Sequence, residues 1–232
     1  ETKYGGTAIV MAPSTGDILA MATYPDYDLN NPRSPNESLS EGWELLSEDE
    51  QMNNLFKMWR NKAVADTYEP GSTFKIITAA VGLEEGLVKT DTSNNFLCSG
   101  YELIDGITIN CWRSYTTHGY QTLRQALMNS CNPAFMQLSR QIGAPTLYKY
   151  YNAFGFFDKT GISTSYEANS NFWNLDTVGN IETATMSFGQ RFTITPIQLI
   201  TAVSAIANDG VLMQPRIVKQ IENSDNGAIT TI

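Results

Sequence analysis

Apolar residues recur along this chain with two periods, and the two periods predict different elements. After a break at Pro70-Gly71, segment 73–86 places Ile76, Ile77 and Ala80 at the spacing of a helix with one buried face. Coarser patterns of the same kind predict helices near 48–59, 122–129, 133–142, 145–153 and 195–209. Shorter alternating or β-branched runs predict strands at 7–12, 17–23, 101–104 and 107–110, and a strand or extended stretch over 211–221.

Turn residues organise the predicted strands into hairpins. Pro13-Ser14-Thr15-Gly16 separates the first two strands, and Asp105-Gly106, a strong hairpin turn, separates the second pair. Segment 28–50 is rich in Asn, Pro, Ser and acidic residues, so we expect an inserted excursion at the surface with a solvated acidic face.

Length and charge narrow the class of protein. The chain has 232 residues, which is enough for one domain with a sizeable core. Its formal net charge is −9 and its pI is about 4.6, which argues against a nucleic-acid partner. We find neither an apolar run of about 18 residues, as a membrane span requires, nor a signal peptide.

Ser72 and Lys75 are the first candidate catalytic pair. They lie three positions apart at the start of a predicted helix, so the amine can reach the hydroxyl. A serine needs an adjacent base to act as a nucleophile, and a buried lysine with a lowered pKa can supply one. The helix N-terminus favours an oxyanion beside the serine. By itself, however, Ser-x-x-Lys also occurs by chance in many helices.

Ser130 and Asn132 form a second candidate pair, in a short connection between two predicted helices. The hydroxyl can relay a proton, and the carboxamide can bind a substrate amide through both its donor and its acceptor. Ordinary capping before Pro133 is the simpler explanation of the same residues.

Together, Ser72-x-x-Lys75 and Ser130-x-Asn132 resemble the motif set of the serine enzymes that recognise penicillin. The rest of the chain is similar to the transpeptidase domain of class B penicillin-binding proteins. Arg191 departs from that pattern, because glycine is expected there. The similar stretches are Gly6 to Met21, Asn61 to Val64, Tyr68 to Ser72, Met186 to Gln190, Thr195 to Leu199 and Ala207 to Gly210.

The resemblance implies a peptidoglycan D,D-transpeptidase that works through a serine acyl-enzyme. Ser72 would attack a terminal D-Ala-D-Ala carbonyl with Lys75 as base, and Ser130 would protonate the departing D-alanine. Asn132 would hold the peptide amide. An amine of a neighbouring stem peptide would then take the acyl group. β-Lactams would acylate the same serine, and no cofactor would take part in this chemistry.

The resemblance also implies an α/β fold of the α+β type. A five-stranded antiparallel sheet would be flanked by helices, with a helical subdomain beside it. Residues 1–232 would form part of that domain. A membrane anchor, a pedestal domain and the C-terminal strands would lie outside the chain. The full protein would act at the outer face of the bacterial cytoplasmic membrane, with cell-wall synthesis partners such as a glycosyltransferase.

The third motif of the family is a Lys-Thr-Gly on a strand that lines the cleft. Lys159-Thr160-Gly161 matches its letters but lies only 29 residues after Ser130 and before the Gly189-Gln190 stretch. We interpret it as a helix-to-loop passage. We therefore expect the true motif to lie beyond Ile232, and residues 1–232 alone to be inactive.

The three cysteines and the single histidine converge on one segment. Cys98, Cys111, His118 and Cys131 are separated by 13, 7 and 13 positions, and Cys3His is a standard zinc set. The predicted hairpin would bring the first two thiols together. His118, just before a helix, would close a structural zinc site with Cys131. A Cys98–Cys111 disulfide with Cys131 buried is the alternative.

Two other functions remain open at this stage. A serine β-lactamase would need a base for water, and Glu167 is the candidate, although we expect a surface loop acid there. A β-lactam sensor domain would be acylated without transpeptidase turnover.

Overall fold

The computed structural model describes residues 5–91, 95–113, 115–164 and 166–231. Helices and strands are mixed, which confirms the α+β class. The strands run as β1 Gly6–Met11, β2 Ile18–Tyr24, β3 Phe96–Cys98, β4 Tyr101–Ile104, β5 Ile107–Asn110, β6 Gly119–Gln121, β7 Gln220–Glu222 and β8 Ile229–Thr231. The helices are α1 Glu48–Met58, α2 Lys62–Ala65, α3 Lys75–Glu84, α4 Leu123–Met128, α5 Asn132–Ile142, α6 Ala144–Ala153, α7 Asn180–Met186 and α8 Pro196–Ala207.

The strands of the described ranges pair two by two, always antiparallel. β1 pairs with β2, β3 with β6, β4 with β5 and β7 with β8. The predicted hairpins at Pro13–Gly16 and Asp105-Gly106 are both present. At the second one, Asp105 and Gly106 have φ of 48° and 81°, as a two-residue hairpin turn with positive φ requires.

The β1–β2 hairpin packs on α2 and α8. Ile9 and Ile18 lie against a small buried cluster that includes Val64, Ile162 and Ile197. The cluster places α2, just before the candidate nucleophile, firmly on the sheet.

The main core surrounds α3 and α5. Phe74, Phe135, Leu138, Tyr151 and Phe156 are fully buried there. The Phe74 ring meets the Tyr151 and Phe156 rings at centroid distances of 5.3 and 5.2 Å. Such aromatic pairs add about 0.5–1.5 kcal/mol beyond their area burial. Phe74, the residue next to Lys75, is therefore held in the core by these aromatic contacts.

Several expectations about the elements need correction. Segment 211–221 is mostly irregular, and its strand begins only at Gln220. Arg216 instead joins the β1–β2 turn, where its guanidinium pairs with Asp17 at 2.6 Å. Strand β6 lies between His118 and α4, so His118 precedes a strand, not a helix. The sequence patterns also missed β3, β6, β8, α2 and α7.

The excursion at 28–50 shares a small core with helix α1. Trp43, Leu55 and Met58 are buried together, and Ser47 and Glu50 form a capping box at the start of α1. In the described ranges, no helix has the length and apolarity needed to cross a bilayer.

Candidate active site

Ser72 lies in a single 3-10 turn, Gly71–Phe74, that continues directly into α3 at Lys75. The helix proper thus begins two residues later than predicted. The side chain of Ser72 is exposed, whereas Lys75 has no exposed surface. In the first turn of a helix, backbone N–H groups have no partner within the helix, so they can face a developing oxyanion. The Ser72 hydroxyl is therefore accessible to a substrate, whereas the Lys75 amine beside it is buried.

Lys75 Nζ is the centre of the site. It lies 3.1 Å from Ser72 Oγ, 3.0 Å from Ser130 Oγ, 2.8 Å from the Ser130 carbonyl oxygen and 2.7 Å from Asn132 Oδ1. The structure therefore brings together all four residues that the two motifs predicted. Their catalytic roles remain a prediction.

Lys75 Nζ can donate hydrogen bonds to these oxygens when it is protonated, and a neutral amine can keep the same contacts. The Ser130 carbonyl and Asn132 Oδ1 can only accept, so they take two N–H bonds at the shorter distances. A neutral amine then has one lone pair left, and the hydroxyls of Ser72 and Ser130 are the neighbours that can donate to it. A lysine that accepts a proton from a serine needs this arrangement.

Burial lowers the pKa of Lys75 to about 8, while the Cys131 and Cys111 thiols act in the opposite direction. The Phe135 and Phe188 rings flank Nζ at 5.7 and 5.8 Å from their centroids. A substantial fraction of the amine is thus neutral near physiological pH.

A short connection between α4 and α5 holds Ser130 in place. Its φ is 49°, a left-handed conformation that is uncommon for a residue other than glycine. The amides of Ser130 and Cys131 donate to Leu127 and Ala126 carbonyl oxygens at 3.0 Å each. The turn directs both oxygens of Ser130 at Lys75, and Asn132 opens α5. Strained backbone of this kind occurs frequently at functional sites.

The backbone of segment 187–189 contacts the turn that contains Ser72. The Gly71 amide donates to the Gly189 carbonyl at 2.9 Å, and Thr78 Oγ1 donates to the Ser187 carbonyl at 2.8 Å. Segment 187–189 is therefore fastened both to the turn and to α3.

Arg191 occupies the position where the family pattern led us to expect glycine. Its φ is 65°, so arginine takes the conformation that glycine would adopt without strain. Its amide donates to Glu69 Oε1 at 2.8 Å, and its guanidinium pairs with Glu182 at 2.8 Å. Trp173 Nε1 donates to its carbonyl, also at 2.8 Å. The turn is retained, and the arginine links it to three other segments.

Glu167 is not the surface acid that we expected. It is buried, and its carboxylate accepts the amides of Thr160 and Gly161 at 2.7 and 3.2 Å. Its role is to hold the loop that contains Lys159-Thr160-Gly161. Among the described residues, none of the hydrogen bonds of that tripeptide reaches Ser72 or Lys75.

Cys98, Cys111, His118 and Cys131 also come together. One ligand atom of each lies within 4.8 Å of the others, and the three cysteines are not disulfide-bonded in this structure. His118 Nδ1 lies 3.5 Å from Cys98 Sγ and 3.7 Å from Cys111 Sγ. Zinc–ligand distances near 2.0–2.3 Å imply roughly 3.3–3.8 Å between ligands, so a small contraction would seat the ion.

Some neighbours of the site had no recognisable signal in the sequence. Phe135 had no signal beyond core periodicity, and Phe188 was noticed only within a family stretch. Trp112 donates from Nε1 to the Asn129 carbonyl at 2.9 Å, beside Ser130. Gln121 is buried on the same face of the β3–β6 pair as Cys98. These positions depend on long-range packing, which no local pattern encodes.

The family model for the penicillin binding protein transpeptidase domain matches residues 6–231. The chain belongs to this family. This match and the named relatives together confirm the predicted resemblance to class B penicillin-binding proteins.

Named relatives agree with this assignment. The chain is 40% identical over 223 residues to Stage V sporulation protein D of Bacillus subtilis, with 95% of this chain and 31% of that protein covered. It is 32% identical over 247 residues to the peptidoglycan D,D-transpeptidase PbpA of Mycolicibacterium smegmatis, with 97% of this chain and 45% of the relative covered. The chain thus spans less than half the length of these curated relatives.

Solved structures show the same fold. Penicillin binding protein 3 from Mycobacterium tuberculosis, complexed with ampicillin, superposes with a TM-score of 0.82 at 26% identity. The alignment covers 99% of this chain and 46% of that one. A peptidoglycan synthetase from Bifidobacterium adolescentis gives a TM-score of 0.78 at 26% identity, with 98% of this chain and 37% of that chain covered. The predicted transpeptidase fold is confirmed.

Proposed function

We propose that this chain is the transpeptidase domain of a peptidoglycan D,D-transpeptidase that cross-links stem peptides and is acylated by β-lactams. The observation that carries the proposal is the convergence of Ser72, Ser130 and Asn132 on Lys75 Nζ within 3.1 Å. Relatives named as D,D-transpeptidases and a related structure complexed with ampicillin support the reaction class.

In the proposed reaction, the neutral Lys75 amine removes the Ser72 proton as Oγ attacks the carbonyl carbon of the penultimate D-alanine. The tetrahedral intermediate collapses, and the C–N bond to the terminal D-alanine breaks. Ser130 passes a proton from the ammonium to the leaving nitrogen, which its contact with Nζ at 3.0 Å permits. Asn132 orients the substrate amide. An amine of a second stem peptide then attacks the ester carbonyl and releases Ser72.

Fluorescent penicillin labelling of the purified whole protein tests the nucleophile. We expect Ser72→Ala to lose covalent labelling completely, and Lys75→Ala to lose nearly as much because the pair acts as one unit. Thr73→Val is a matched control in the same turn, since the Thr73 hydroxyl donates to the Pro70 carbonyl at 2.6 Å and not to Lys75. Undiminished labelling of Ser72→Ala would remove the assignment.

The products of the reaction distinguish transpeptidase from β-lactamase and sensor. Glu167 is occupied by two loop amides, which argues against its use as a hydrolytic base. We expect mass spectrometry to show a persistent penicilloyl adduct and stem-peptide assays to show cross-linked dimers. Rapid return to the unmodified mass would indicate a β-lactamase. A stable adduct without cross-linking would indicate a sensor.

We also propose that Lys159-Thr160-Gly161 does not supply the family's third motif. Its loop hydrogen bonds, to Glu167 and to Gln214 Nε2, support this view. Lys159→Ala should therefore leave the acylation rate unchanged. A loss comparable to that of Lys75→Ala would show that this lysine belongs to the cleft.

We infer that Cys98, Cys111, His118 and Cys131 bind one structural zinc ion. The thiolate-rich donor set and the burial of all three cysteines fit this ion, and four protein ligands leave no open position for a catalytic water. When bound, zinc would supply a cross-link and no chemistry. Because Cys131 lies between Ser130 and Asn132, the cross-link would fix the second motif. Elemental analysis of protein purified without chelator should give one zinc per chain.

For the whole protein we propose a place at the outer face of the bacterial cytoplasmic membrane, held by a membrane anchor. Peptidoglycan stem peptides are the proposed substrates, and a glycosyltransferase is the proposed partner. The bacterial relatives named as peptidoglycan transpeptidases support this placement.

A further inference from the structure

Gln121 is a buried side chain with half of its amide left without a partner. It is 2% exposed, and its Oε1 accepts a hydrogen bond from Asn129 Nδ2 at 2.8 Å. Its Nε2 has no hydrogen-bond partner among the described residues. Most buried polar groups in proteins are paired, and an unpaired one costs about 1–3 kcal/mol. The orphan donor therefore needs an acceptor close by.

The strand register shows where this donor lies. In the β3–β6 pair, Cys98 is opposite Gly119 and Phe96 is opposite Gln121. Opposite residues and every second residue of a strand share a face of the pair. Gln121 thus lies on the same buried face as Cys98, whereas Leu97 and Tyr120 lie on the exposed face.

The cysteine cluster supplies acceptors beside this face. Gln121 Oε1 is hydrogen-bonded to Asn129, two residues before Cys131, and the sulfur atoms of Cys98 and Cys131 lie within 4.8 Å of each other. The Gln121 amide is therefore held next to the two cysteines. A neutral thiol is a weak acceptor, whereas a metal-bound thiolate is a strong one.

We propose that Gln121 is a positioning residue of the metal centre, and that its Nε2 donates a hydrogen bond to the Cys131 thiolate when the metal is bound. This inference rests on the proposed zinc site. Through Oε1 the same amide holds Asn129, the residue before Ser130, so one glutamine links the metal ligand to the second catalytic motif. Outer-shell partners of this kind typically change metal affinity by about 10- to 100-fold.

Cobalt(II) replaces zinc as a spectroscopic probe in the test, with the purified whole protein. We expect Gln121→Met to bind one cobalt ion with about 10- to 100-fold lower affinity in chelator competition. Loss of the hydrogen bond makes the thiolate a better electron donor, so the sulfur-to-cobalt charge-transfer band should move to lower energy. A change in folding alone would not move this band.

Gln137→Met is the matched control. Gln137 also holds strand β3, but through the Leu97 backbone, with its Oε1 accepting the Leu97 amide at 3.1 Å and its Nε2 donating to the Leu97 carbonyl at 2.6 Å. We expect it to lower the melting temperature while the cobalt affinity and the charge-transfer band stay at their wild-type values.

A second measurement uses the unmodified sequence and does not depend on the folding of a variant. In protein loaded with cadmium-113, the Gln121 side-chain amide protons should show scalar coupling to the metal through the N–H···S bond. If wild type binds metal but shows no such coupling, and Gln121→Met keeps both affinity and band position, the Gln121 inference fails and the metal site stands. If wild type binds neither zinc, cobalt nor cadmium, both proposals fail.

Discussion

Gly189 packs directly against Gly71, backbone to backbone. A Cβ on Gly189 would lie 2.0 Å from the Gly71 carbonyl oxygen, and Gly189 has a φ of 83°. No side chain fits this contact without moving the nucleophile turn. Small displacements of reacting groups are costly in catalysis, because near-attack geometry tolerates little error.

We therefore expect Gly189→Ala to lower the second-order acylation rate by about 100-fold or more. Stopped-flow or gel-based kinetics with a fluorescent penicillin would measure it. Gly86→Ala is the matched control, since Gly86 also has a positive φ, of 67°, but a Cβ added there would meet no atom within 4 Å. It should cost about 1 kcal/mol of stability and leave acylation unchanged. Equal acylation rates for the two variants would contradict the prediction.

The pH dependence of the acylation rate should reflect the pKa of Lys75. Because burial lowers the pKa of Lys75 to about 8, the neutral amine that can act as base increases as pH rises toward that value. We expect the acylation rate to rise about tenfold per pH unit below the pKa and to level off above it. Rates between pH 6.5 and 9.5, at saturating zinc, would test this. A flat profile over that range would exclude Lys75 as the titrating base.

Arg191 allows a test of backbone strain against an ion pair. Arg191→Ala keeps the left-handed conformation on a residue with Cβ and loses the pair with Glu182. Arg191→Gly loses the same pair but removes the strain. The alanine variant should therefore be about 1 kcal/mol less stable than the glycine variant. Urea unfolding measures the difference, and equal midpoints would show that the turn relaxes in the alanine variant.

Metal removal should couple stability to acylation. We expect His118→Ala, or exhaustive chelation, to lower both the melting temperature and the acylation rate, because Cys131 carries Ser130 and Asn132 on either side. Metal binding should weaken as pH falls, since ligating thiols must be deprotonated. Added zinc should restore chelated wild type and fail to restore His118→Ala. An acylation rate that does not change on chelation would contradict the prediction that the metal supports the active site.

The residues of the candidate active centre could be identified from short sequence motifs. Ser72 and Lys75 are three residues apart, which is a local relationship. The helical pattern that follows them predicts that both side chains lie on the same face. Thr122 and Thr195 likewise mark helix starts through capping boxes that the structure shows with both hydrogen bonds. The Asp105-Gly106 hairpin was predictable for the same reason, because a short-range turn preference decides it.

The arrangement of these residues around Lys75 could not be predicted in the same way, because it depends on long-range packing. Lys75 is a candidate base because α5 and segment 187–189 bury it, and that burial depends on contacts more than 50 residues away along the chain. The burial of Glu167 also depends on distant contacts. We expected an acid at the surface from the sequence, but the packing buries its carboxylate against the loop that it holds. Long-range contacts determine how far the Lys75 amine is desolvated and how closely backbone segments approach each other. Local sequence patterns do not encode either property, because both depend on which distant segments meet.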